Sequence, residues 1–230
     1  MDVQLLMGFW LIGASLCLSI AATATVAIPR KMAIWRAAPS RRVALTIDDG
    51  PTVESGALPD ALRDQGVPAS FFCIGKRLEQ HKGMAARALA EGHELCNHTY
   101  SHSSRFALAG ELFARDEIER ADAVLIALGA DPRSRRYVRA VAGICSPPVG
   151  RAAKALGKTL VHWTATARDG GPLSVSTEQA LNRLRPGLVP GGILVIHQRL
   201  GQPTAALIAP LAAEAKSRGL EFVLLSSLLA

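Results

Sequence analysis

The chain has 230 residues, 49% of them hydrophobic, which is enough for one large core by the usual length prior. Its 26 Lys and Arg against 19 Asp and Glu leave a net charge of +7, and residues 1–42 supply +4 of it through Arg30, Lys31, Arg36, Arg41 and Arg42 less Asp2. A nucleic-acid binder of this charge would carry a basic face with aromatic or helical readers, and no such cluster occurs beyond the one after the N-terminal apolar run, so that class is excluded.

Val3 to Pro29 holds no charged residue and exceeds the roughly 20 apolar residues that span a bilayer. The reading is an uncleaved transmembrane anchor over 1–29, followed by a basic linker over 30–41 beside anionic headgroups. A cleavable leader is the alternative, with Ala22-Thr23-Ala24 or Thr25-Val26-Ala27 as its small-residue site, but the basic start of a signal peptide is missing. Lys and Arg flank the run on its C-terminal side only, a bias that would place the domain behind it in the cytoplasm, whereas a cleaved or inverted leader would place it outside.

From Arg42 onward short β-rich runs alternate with helical ones. Val43–Ile47 reads as a strand, 57–65 as a helix, Ala69–Ile74 as a strand, 76–91 as one helix and 93–96 as a strand. A long helix over 111–128, a strand over 137–141 and a helix from Pro147 to Leu156 follow. Strand 159–166, helix 177–185, strand 193–197, helix 205–218 and strand 222–225 close the series. Alternation of this kind implies parallel pairing under a cover of helices, here a distorted (β/α) barrel of about seven strands over 42–230. In such a barrel chemistry gathers at the C-terminal strand ends, where Asp48, Asp49, His98, Arg139, Asp169 and His197 fall.

Each polar cluster has a bland reading. Asp48-Asp49-Gly50-Pro51 suits a turn. His98 and His102, at the ends of a five-residue window, share one face if that window is a helical turn, or else are solvated. His197, at the tip of an apolar run, could be a satisfied core histidine. Jointly, Asp49, His98 and His102 form a mixed carboxylate and imidazole set that suits zinc or a similar divalent ion, with Asp48 and His197 left over as base and acid. Cys17, Cys73, Cys96 and Cys145 match no Cys-rich zinc module and read as free.

Thr46-Ile47-Asp48-Asp49-Gly50-Pro51, Phe71-Phe72-Cys73-Ile74-Gly75, Glu91-Gly92-His93-Glu94 into Asn97-His98-Thr99-Tyr100-Ser101-His102, and Gly191 to His197 resemble the polysaccharide deacetylases of carbohydrate esterase family 4. The resemblance implies Asp49, His98 and His102 as metal ligands, usually for zinc, and Asp48 as the general base toward the attacking water. It implies His197 as the general acid, Asp169 as its partner, Arg139 as the partner of Asp48, and the Ala142 N–H as oxyanion donor. Tyr100 could contact substrate or merely pack. The implied substrate is an amino-sugar glycan of peptidoglycan or chitooligosaccharide type, or a lipid-linked sugar at the membrane surface. An inactive carbohydrate-binding relative is the reading from another class.

Two stretches depart from the family pattern. Arg139-Ala140-Val141-Ala142-Gly143 stands where members commonly have Arg-Pro-Pro-aromatic-Gly, and Gly170 stands in place of a Trp, with Thr166 in place of an upstream Asp. Those aromatics ordinarily wall the acetyl pocket, so the expectation is a wider, less adhesive groove. His93, Glu94, His162 and His81 are expected to have no chemistry, His162 as a strand residue.

Overall fold

A computed structural model of the protein describes residues 32–52, 57–108, 110–171, 174–198 and 204–230. The strands are β1 (Arg42–Asp48), β2 (Ala69–Cys73), β3 (Glu94–Asn97), β4 (Tyr137–Val138), β5 (Thr159–Leu160), β6 (Ala165–Thr166), β7 (Ile193–His197) and β8 (Glu221–Phe222). The helices are α1 (Ala57–Asp64), α2 (Gly75–Gln80), α3 (Lys82–Ala90), α4 (Glu111–Ala127), α5 (Pro132–Arg135), α6 (Pro147–Ala155), α7 (Thr177–Leu184), α8 (Thr204–Ser217) and α9 (Leu225–Leu228). The strands pair in parallel in the order β5-β4-β3-β2-β1-β7-β6, with β8 beside the start of β1, and the sheet curls into a distorted half-barrel.

Strand period decides what faces the barrel interior. On β1, Val43, Leu45 and Ile47 join the large outer core against the helices, whereas Ala44 joins an inner cluster with Phe72, Cys96, Tyr137, Val161 and Ile193. Thr46 and Asp48 share the parity of Ala44, and His98, Arg139 and His197 share the parity of Cys96, Tyr137 and Ile193. Leu225 and Leu228 of α9 belong to the same inner cluster.

Several expected elements differ. The single helix over 76–91 is two, because His81 leaves helical geometry (φ −128°, ψ 44°) between α2 and α3. The strand over 159–166 is also two: β5 pairs with β4 and β6 with β7, so Val161 to Thr164 crosses the seam between the sheet edges. Strand 137–141 stops at Val138, ahead of the turn at Val141–Gly143, and 222–225 stops at Phe222, ahead of α9.

The segment read as a linker packs on the barrel. Ile34 bridges Val161, its N–H donates to the Leu160 carbonyl at 2.9 Å, and the Ala37 N–H donates to the Gly191 carbonyl at 2.9 Å. Residues 34–37 thus fill the seam that the split strand leaves. Among the described residues no helix is long and apolar enough to cross a membrane, and the apolar run Val3–Pro29 lies outside them.

Candidate active site and metal centre

At the end of β1 the backbone turns left-handed at Asp49 (φ 71°), which sends two successive carboxylates to different partners. Asp48 follows the inward parity of its strand and accepts from Arg139 Nη1 at 2.6 Å. Arg139 is fully buried and its donors are spent on fixed acceptors: Nη1 on Thr46 Oγ1 (2.7 Å), Nε on the Val161 carbonyl (3.3 Å) and Nη2 on the His162 carbonyl (3.1 Å). Its guanidinium lies over the Phe72 ring at 4.0 Å. A buried charge pair is tolerated only when the leftover donors are satisfied in this way.

Asp49 Oδ1 faces His98 Nε2 at 3.5 Å and His102 Nε2 at 3.3 Å, is buried, and makes no hydrogen bond to the described residues. Burial pushes the Asp49 carboxyl up, but the adjacent His98, then His102 and His197, outweigh it and hold the group below the usual carboxylate range. His102 is pushed down to about 4, by burial above all and against the opposing charge of Asp49, so its ring is neutral at physiological pH. His98 Nδ1 lies 2.9 Å from the Arg139 carbonyl, which can only accept, so Nδ1 carries a proton and the neutral tautomer presents its lone pair at Nε2.

The loop carrying the two histidines is not a helical turn, contrary to the expectation. Thr99 (φ 65°) and His102 (φ 53°) are left-handed, and side chains hold the shape: Asn97 Oδ1 accepts from the Thr99 N–H (2.9 Å), Glu117 Oε2 from Ser101 (2.8 Å) and Thr99 Oγ1 from His102 (3.2 Å). The imidazoles meet because this loop folds back, with centroids 4.8 Å apart. One ligand atom from each of Asp49, His98 and His102 lies within 4.8 Å of the others. A bare nitrogen, a neutral imidazole and an orphaned carboxylate oxygen converging in this way fit a divalent cation with mixed N and O ligands.

His197 ends β7. Asp169 accepts from its ring Nδ1 at 2.8 Å and from its backbone N–H at 3.0 Å. Burial lowers the basicity of this ring, but the hydrogen bond to Asp169 and the charges of Asp48, Asp169 and Asp49 outweigh it and raise the pKa. Asp169 is itself buried, following Arg168 in a left-handed turn (φ 55°) tied by the Thr166 hydroxyl. Gly170 is required next: a Cβ there would stand 2.8 Å from His197 Nε2.

A cleft of about 350 Å³ brings together Asp48, Asp49, His98, His102, Ala142 and His197. Arg139 and Asp169 stand behind it as partners of Asp48 and His197. Ala142 (φ 52°) is the exposed member of its turn, and its N–H has no acceptor among the described residues. Tyr100 is placed elsewhere: its Oη donates to Glu79 at 2.9 Å, Arg120 covers its ring at 3.8 Å, and it lines a separate hollow beside α4. Of the two readings of Tyr100, this placement supports packing rather than contact with a substrate in the cleft.

Trp163 and Arg168 line the cleft and were missed as site residues. The local signal was slight, since Trp163 falls inside what reads as one continuous strand. His162 is not a strand residue but stacks between Trp35 and Trp163. His93 and Glu94 do serve the framework, His93 accepting from the Ala69 N–H and Glu94 from the Ser70 hydroxyl and the Ser226 N–H. Cys73, Cys96 and Cys145 are buried and free.

The polysaccharide deacetylase family model matches residues 36–161, a stretch that holds Asp48, Asp49, His98, His102 and Arg139. A chitooligosaccharide deacetylase from Sinorhizobium fredii is 32% identical over 156 residues, covering 67% of this chain and 71% of that protein. The peptidoglycan-N-acetylglucosamine deacetylase PgdA of Listeria monocytogenes is 27% identical over 199 residues, 84% of this chain and 40% of that one. The crystal structure of the Bc1960 peptidoglycan N-acetylglucosamine deacetylase shares the fold, with a TM-score of 0.77 at 24% identity over 86% of this chain and 92% of that chain. So does a carbohydrate esterase family 4 pseudoenzyme from Bacillus anthracis, with a TM-score of 0.76 at 21% identity over 86% and 68% of the two chains. The chain belongs to the polysaccharide deacetylase family.

Proposed function

We propose that this protein is a metal-dependent deacetylase that removes N-acetyl groups from amino-sugar glycans of the peptidoglycan or chitooligosaccharide type. One observation carries the reading: three ligand-ready groups, Asp49, His98 and His102, share a cleft with a carboxylate held by Arg139 and an imidazole held by Asp169. The pseudoenzyme reading leaves the convergence of these groups on one cleft without a use.

Asp49, His98 and His102 would hold the ion, most simply zinc. When bound, such an ion supplies Lewis-acid chemistry, polarising an acyl oxygen and bringing the pKa of water to about 7 in favourable zinc sites. Asp48, oriented by Arg139, takes the proton of the attacking water. The Ala142 N–H donates to the oxygen on which negative charge develops. His197, protonated and aimed by Asp169, gives its proton to the departing amine so that the carbon–nitrogen bond can break. The products are acetate and a free amino sugar.

In this reading Val3–Pro29 anchors the catalytic domain to a membrane through its apolar length and the basic residues behind it. Acetate release by the purified zinc-loaded protein from peptidoglycan, chitotetraose and a lipid-linked amino sugar is the test. Release from none of the three would remove the reading, and release from the lipid-linked sugar alone would replace the polymer with a membrane precursor.

A further inference from the structure

One wall of the cleft is aromatic, although the positions expected to supply aromatics hold Ala142 and Gly170. Trp163 lines the cleft beside Ala142, Gly143 and Gly170. Its ring stacks on His162 with centroids 3.8 Å apart and planes 26° apart, and His162 stacks on Trp35 at 3.6 Å and 24°. The three rings form one pile from the N-terminal segment to the cleft.

The pile also supports the turn that presents Ala142. A Cβ built on Gly143 would stand 2.4 Å from Trp163 Cη2 and 2.9 Å from His162 Nε2, so rings and turn touch where that side chain is missing. The backbone of the same residues reaches the Asp48 partner: the His162 carbonyl accepts from Arg139 Nη2, the Val161 carbonyl from Arg139 Nε, and the His162 N–H donates to the Ile34 carbonyl at 2.8 Å. His162 is buried between the two tryptophans, and its ring interacts with the backbone of Trp163 and Gly143, the residues of the wall and of the turn.

We propose that Trp163 is the sugar-facing wall of the cleft, and that His162, clamped between Trp35 and Trp163, is a positioning residue holding this wall and the Ala142–Gly143 turn in register with Asp48 and Arg139. A rigid aromatic face receives the C–H side of a sugar ring with little loss of rotamer freedom. A turn displaced by about 1 Å is enough to reduce turnover on the order of a hundredfold. The wall assignment rests on the glycan reading above, whereas the positioning role applies to any acyl substrate.

The test uses the full chain loaded with zinc, with chitotetraose and 4-nitrophenyl acetate as substrates and His162→Ala, His162→Phe and Trp163→Ala as variants. Trp163→Ala is expected to raise KM for chitotetraose about tenfold, with a smaller change in kcat. His162→Ala should lower kcat on both substrates roughly ten- to a hundredfold at unchanged zinc content. His162→Phe, which keeps a flat ring in the pile, should return kcat to within about threefold of wild type. Wild-type kcat in His162→Ala, or a His162→Phe variant no better than His162→Ala, overturns the positioning role. An unchanged chitotetraose KM in Trp163→Ala overturns the wall. Wild-type protein that cleaves the ester but releases acetate from none of chitotetraose, peptidoglycan and the lipid-linked amino sugar overturns the glycan reading and the wall with it, while kcat on the ester still decides His162.

Discussion

Arg139 Nη1 and Asp48 Oδ1 meet at 2.6 Å inside the barrel, with both side chains at least 97% shielded from solvent. The pair joins the end of β1 to the residue just beyond β4, two strands that do not pair with each other, so one contact spans the barrel interior and holds the proposed base. Removing the cation alone leaves a buried carboxylate uncompensated, which typically costs about 3–5 kcal/mol. Arg139→Met should therefore lower unfolding free energy in urea by that order. Adding Asp48→Asn to it should recover much of the loss, and a double variant as unstable as the sum of the singles would show that the two residues are not coupled.

Metal occupancy should follow the three convergent ligands. His98→Ala with His102→Ala should abolish tight zinc binding measured by calorimetry and elemental analysis, because only Asp49 remains. Asp48→Asn should keep the zinc and lose acetate release by about 10²-fold or more. Retained zinc in the double histidine variant, or full activity in Asp48→Asn, contradicts the division of labour between the neighbouring aspartates.

The role of His197 separates substrates by their leaving group. An amide needs a proton on its departing nitrogen and an activated aryl ester does not, so His197→Ala should depress amide hydrolysis by about 10²–10⁴-fold and ester hydrolysis far less. Equal losses would point to a structural role.

Acidity of the same ring sets the alkaline limb of the pH profile. Asp169, together with Asp48 and Asp49, outweighs burial and holds the His197 pKa above its ordinary value, so the acid form persists to higher pH and kcat/KM falls as pH rises through that raised pKa. Asp169→Asn removes the hydrogen-bonded charge and should move the limb toward lower pH. A limb that stays in place in Asp169→Asn assigns the titration to another group.

His162 predicts a dependence of the opposite kind. Burial first, and the Arg139 charge second, push its pKa down to about 4, against 6.5 for a free imidazole. The unfolded chain then binds the proton more readily, so the contribution is complete above about pH 6.5 and is lost as pH falls toward 4, by on the order of 3 kcal/mol at most. Melting temperature of the wild type should drop across that window more steeply than that of His162→Phe. Parallel curves would mean that the ring stays accessible to protons in the folded state.

Much of the site was legible because its parts are local. The Asp48-Asp49 pair and the histidines at 98 and 102 are short motifs, and the period of two along β1, β3 and β7 already assigns Asp48, His98 and His197 to the face shared with Ala44, Cys96 and Ile193. Apolar runs alternating with amphipathic ones likewise announced a parallel barrel, since buried parallel strands have few other sequence forms. The residues following 159 show where local reading stops. Thr159–Leu160 and Ala165–Thr166 look like one strand, yet they pair with β4 and β7, and partners far away in sequence choose that break. The same non-local closure draws Trp35 and residues 34–37 onto the barrel, stacks His162 between two tryptophans, and leaves Tyr100 under Arg120 outside the cleft. Residue type and short spacing thus determined which groups could do the chemistry. Which of them share the cleft, and what walls it, was decided only when the sheet curled and its edges met, because those contacts depend on pairing between segments that no local window contains.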